Sequence, residues 1–69
     1  MEMLKNNLKA YRFNHGELTQ EQLADALAVS RQTIIAIEKG KFNPSVKLAL
    51  KMAAFFRCKV EDIFYLKEE

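Results

Sequence analysis

The chain has 69 residues, 49% of them hydrophobic, with a formal net charge of +2, one Pro, two Gly and a single Cys. A chain of this length buries only about 60% of the surface its unfolded form exposes, so residues 1–69 are expected to form one domain with no room for a separate catalytic or ligand-sensing unit. Cys58 alone excludes an internal disulfide, no Cys/His cluster offers a metal site, and no apolar run is longer than five residues (52–56), against the roughly 18 that a membrane span needs.

In chain order, Leu4, Leu8 and Tyr11 fall at helical spacing and predict a first helix from about Asn6 to Asn14, with Gly16 supplying a left-handed stop. Thr19 followed three residues later by Gln22 is a capping-box signature, and Leu23, Ala24 and Leu27 give that second helix one apolar face. Ser30 is a second N-cap only two residues beyond Ala28, Ile34 and Ile37 mark the buried side of a third helix, and Gly40 ends it. Pro44 holds Asn43 out of helical geometry, and Ser45 caps a fourth helix carrying Leu48, Ala49, Met52, Ala53 and Phe56 on one side. Val60 to Phe64 predicts a short fifth helix.

The charge is unevenly spread. Residues 31–59 hold seven basic residues and one acidic, whereas residues 1–30 sum to −1 and residues 60–69 to −3. A basic middle of this kind is either a polyanion-binding face or an ordinary solvated helix surface. The second and third helices are joined too tightly to lie antiparallel, so they must cross steeply. Small Ala24 permits the approach and Ile34 fills the angle. This is the arrangement of a DNA-reading helix-turn-helix, whose second helix enters the major groove N-terminus first.

Three stretches, Leu18 to Ala24, Val29 to Ile34 and Ile37 to Ser45, resemble the Cro/repressor-like (Xre-type) helix-turn-helix family, in particular its small stand-alone bacterial and archaeal regulators. The resemblance runs from about Asn6 to Phe64. It implies an all-α, five-helix lambda-repressor-like DNA-binding domain with the helix-turn-helix at helices 2 and 3, acting as a two-fold dimer. In relatives of this size the chain ends pair, which implies antiparallel strands near Met1–Lys5 and Tyr65–Glu68. Four positions depart from the family: Ala28 and Arg57 stand where Gly is usual, Lys59 stands where Ser or Thr caps the fifth helix, and Glu17 is an extra residue between Gly16 and Leu18.

With Ile34 and Ile37 inward, Arg31, Gln32, Thr33 and Ala36 are the candidate base readers. Arg pairs bidentately with guanine O6/N7 and Gln with adenine N6/N7, the Thr33 methyl or hydroxyl can meet a thymine methyl or a phosphate, and Ala36 lets the helix sit deep. Candidate phosphate contacts are Gln20, Ser30, Lys39, Lys41, Asn43 and Lys47. Arg12 and Glu38 occupy positions at which the family commonly has a structural ion pair. Phe55, Ile63, Phe64, Tyr65 and Leu66 form an apolar C-terminal cluster expected to be the dimer interface, or alternatively the surface by which an antitoxin or adaptor holds a different protein. His15 has no partners of a catalytic constellation, no cofactor is implied, and the absence of a basic-then-apolar leader makes a cytoplasmic, non-enzymatic DNA-binding regulator, acting as a repressor, the expectation.

Overall fold

The computed structural model describes residues 1–68 as β1 (Glu2–Asn6), α1 (Leu8–Asn14), α2 (Gln20–Leu27), α3 (Arg31–Glu38), α4 (Val46–Phe56), α5 (Val60–Ile63) and β2 (Phe64–Glu68). The two strands pair antiparallel, in register from Glu2 opposite Glu68 to Asn6 opposite Phe64. The domain is therefore five helices clasped by a ribbon made from both ends of the chain.

The starts of the helices follow from side chains close in sequence. Thr19 Oγ1 accepts the Gln22 N–H at 3.0 Å while Gln22 Oε1 accepts the Thr19 N–H at 2.9 Å, which completes the expected capping box. Ser30 and Ser45 accept from the N–H groups of Thr33 and Leu48. Without Ser or Thr at its head, α5 is opened from the other direction: Asp62 Oδ2 accepts the Lys59 N–H at 3.0 Å.

Three helix ends share one pattern with three different residues. Beyond α3, the Lys41 N–H reaches Ala36 O and the Gly40 N–H reaches Ile37 O, a Schellman closure that needs a left-handed residue at Gly40, where φ is +74°. The same pair of bonds closes α2 through Ala28 and Val29, and α4 through Arg57 and Cys58. There the left-handed residues are Ala28 (φ 58°) and Arg57 (φ 56°), the two positions at which a Gly was the expectation. Lys51 adds an independent cap at the end of α2, its Nζ donating to Leu27 O at 2.8 Å.

Every helix contributes to the core. Leu8, Leu23, Ile34, Ile37, Met52 and Ile63 are the largest fully buried side chains, and Ala24 is buried between α2 and α3 as expected. Cys58 is half-buried against this core and touches the Tyr11 hydroxyl. Removal from solvent, then that thiol, then the charge of Asp62, hold the Tyr11 phenol above its ordinary pKa.

Two expected boundaries move. The first helix begins at Leu8 rather than Asn6, because Asn6 closes β1 and serves as a bracket: its Oδ1 accepts the Leu8 N–H and its Nδ2 donates to Ile37 O at 2.9 Å. The fifth helix ends at Ile63, and Phe64 turns into β2. The Asn7 N–H and side chain satisfy the carbonyls of Ile63 and Asp62 at that end.

A left-handed backbone costs a residue with a Cβ about 1 kcal/mol relative to Gly. Ala28→Gly and Arg57→Gly are each expected to stabilise the protein by about that amount, raising Tm by roughly 4–8 °C. Gly40→Ala should do the reverse through backbone strain alone, since a Cβ there meets no heavy atom within 4 Å. Thermal melting of the three variants checks this, and unchanged Tm values would remove the strain argument.

Candidate nucleic-acid interface

The third helix is aimed by its flanking turns. Only residues 28–30 separate α2 from α3, and the left-handed Ala28 reverses the chain within that space. Buried Ile34 and Ile37 anchor the inner side of α3. The opposite side at its start is open: Arg31 and Gln32 are exposed, and Thr33 and Ala36 are half-buried. The amides of Arg31 and Gln32, at the first two helical positions, have no intrahelical acceptor and add partial positive charge where α3 meets solvent.

Ser30 and Thr33 are bound to each other as well as to the backbone. Their hydroxyl oxygens lie 2.9 Å apart while Ser30 Oγ accepts the Thr33 N–H. One hydroxyl hydrogen serves that contact, so one remains available as a donor at the mouth of the helix. Lys39, Lys41, Asn43 and Lys47 are all exposed on the path from the end of α3 into α4. Lys51, one turn beyond Lys47, is committed to the end of α2 instead.

Behind this surface lies the ion pair. Arg12 Nε and Nη2 donate to the two oxygens of Glu38 at 2.7 and 3.1 Å, with side chains only 10% and 8% exposed. Arg12 Nη1 donates to Leu18 O at 2.8 Å, and Gln20 Nε2 donates to Glu38 Oε1 at 3.1 Å. Among the described residues no buried side-chain nitrogen or oxygen lacks a partner. One joint thus ties α1, the entry to α2 and the last residue of α3. Sequence reasoning placed Gln20 at a phosphate. The structure gives it a half-buried position with one amide N–H already spent on Glu38, a contact between elements that local spacing does not reveal.

The apolar C-terminal cluster divides. Ile63 and Phe64 are buried within the chain's own core, at 0% and 8% exposure, and are corrected from interface to core residues. They are covered because β2 folds back onto β1 and brings Phe64 down against the helices. Phe55 is half-buried, its ring 5.2 Å from that of His15. Tyr65 and Leu66 remain exposed, and further exposed apolar side chains, Val46 and Leu50, lie on the outer side of α4. No group of three or more potential metal-ligating side chains occurs among the described residues, and none of their helices is long and apolar enough to cross a membrane.

A family model described as helix-turn-helix matches residues 8–63. An uncharacterised HTH-type transcriptional regulator of Methanocaldococcus jannaschii is 62% identical over 66 residues, 96% of this chain and 98% of that protein. One from Bacillus subtilis is 47% identical over 66 residues, with 96% and 98% covered. A crystal structure of a Bacteroides fragilis protein aligns with a TM-score of 0.77 at 22% identity, over 91% of this chain and 100% of that one, and shares the fold.

Removing one partner of a buried pair strands the other charge, at about 3 kcal/mol. Arg12→Met and Glu38→Leu are each expected to cost that much in urea unfolding, and the double variant less than the sum of the two. Strict additivity, or single variants as stable as the parent, would show the pair to be a surface feature of little consequence.

Proposed function

Since the chain belongs to the helix-turn-helix family, we propose that it is a sequence-specific DNA-binding transcriptional regulator, acting in the cytoplasm as a homodimeric repressor on a palindromic operator. The observation that carries this reading is the exposed opening turn of α3, where Arg31 and Gln32 stand free on a helix whose other side is locked into the core. Arg31 and Gln32 read base edges, Thr33 and Ala36 form the shallow apolar floor beside them, and Ser30, Lys39, Lys41, Asn43 and Lys47 hold the backbone on either side. Gln20 supports the phosphate side through its remaining amide N–H.

A single α3 reads only a few base pairs, so useful specificity calls for two copies. Exposed Tyr65 and Leu66, with half-buried Phe55, supply apolar surface for a second copy. A two-fold pair would space its recognition helices by about 34 Å, one turn of DNA. Occlusion of a promoter by the bound pair is the repressing action this reading assigns.

Selection of bound duplexes from random DNA tests the reading directly. A two-fold symmetric motif is expected, and Arg31→Ala or Gln32→Ala should relax one position in each half-site at a cost of about 1–3 kcal/mol. Four to five phosphate contacts per half-site give log K a slope of about −7 to −9 against log salt for a dimer. No enriched motif, or a flat salt response, would defeat the assignment, and a strict monomer at micromolar concentration by sedimentation would defeat the dimer.

A further inference from the structure

An open groove of about 570 Å³ lies between α1 and the starting turns of α2 and α3. Lys9 and Phe13, one helical turn apart on α1, form one wall, and Thr19, Gln20 and Arg31 form the other. Arg12 and Glu38 close the floor. Because those two neutralise each other, the charges left to act on anything entering are Lys9 and Arg31 against the exposed Glu21. Neither the Lys9 ammonium nor the Arg31 guanidinium has a hydrogen-bond or ion-pair partner among the described residues. Gln20 cannot serve as the groove's main anion donor, since it carries no charge and one of its N–H groups is held by Glu38. Phe13, half-exposed with the Arg12 guanidinium 5.8 Å from its ring centre, lends the wall an apolar surface suited to a sugar ring rather than to a free ion.

We propose that Lys9 is a DNA-backbone contact, so that the footprint extends from the helix-turn-helix onto α1 and one phosphodiester lies in this groove between Lys9 and the start of α3. This rests on the regulator reading given above. Arg31 reaches for bases from one side of the groove while Lys9 neutralises the adjoining phosphate from the other. Lys9 thereby fixes how deep and at what tilt α3 enters, without reading sequence itself.

Binding of the full chain to a short duplex of arbitrary sequence, followed across a salt series, tests the proposal, because non-specific affinity is almost wholly phosphate contact. Lys9→Ala should leave Tm unchanged and make the slope of log K against log salt shallower by about 1 for each Lys9 on the duplex. Lys9→Arg should restore the slope. On a selected operator the loss should be the same for matched and mismatched sequences. If the parent binds with a steep slope and Lys9→Ala keeps it, Lys9 is a solvated side chain and this proposal falls alone. An unchanged slope with a lowered Tm gives Lys9 a structural role and overturns it equally. If the parent shows no salt-dependent binding at all, the regulator reading falls, and the Lys9 contact with it.

Discussion

The buried pair between Arg12 and Glu38 is the constraint on which the rest of this fold turns. Two charges cannot be withdrawn from water unless nearly all their hydrogen-bonding capacity is met nearby. Here the bidentate contact is completed by Leu18 O on the arginine side and by the Gln20 amide on the carboxylate side. That requirement dictates geometry: α1, the entry to α2 and the end of α3 must converge on one point. A bidentate pair is directional as well as strong, so it sets the orientation of α3 in a way that apolar contacts at Ile34 and Ile37 alone would not.

Rigidity matters because the parts are small. The helices have 7, 8, 8, 11 and 4 residues, all below the length at which an isolated helix persists in water. Each is held by caps and by its share of a common core, and the ribbon of β1 and β2 ties the two ends of the chain together across it. The side chains of Asn6, Asn7 and Lys51 act as brackets between elements, each spending a polar group on a backbone carbonyl of another element. A surface held this way loses little conformational freedom on binding, which leaves more of the contact energy for recognition.

The features legible in the sequence are those decided by neighbours in the chain. The caps at Thr19, Ser30 and Ser45 are i to i+3 contacts, and the apolar spacing of Leu23, Leu27, Ile34 and Ile37 reports directly which side of a helix is buried. The strained positions at Ala28 and Arg57 were visible as departures from a Gly-bearing pattern, and both carry positive φ. The ribbon was visible only through family resemblance, because residues such as Glu2 and Glu68 pair across nearly the whole chain and the strands show no clean alternation. Mistaking Ile63 and Phe64 for interface has the same origin: whether an apolar residue near a chain end is covered depends on where the other end goes. Gln20 to Glu38 and Lys51 to Leu27 are tertiary bonds that no spacing rule anticipates. Lys9 carried one usable signal, its place one turn before Phe13 and on the same side of α1 as Arg12.

The result is a molecule with two differently equipped surfaces. One gathers the free amides and polar side chains at the start of α3 with the exposed lysines that follow it. The other carries the ribbon and the apolar residues at the end of the chain. Titration of isotope-labelled protein with duplex DNA, followed by backbone amide resonances, distinguishes them most directly. The amides of Arg31 and Gln32 and those of residues 39–43 should shift first and furthest, while β1 moves little. Shifts concentrated on β1 and β2, with the start of α3 undisturbed, would contradict the account.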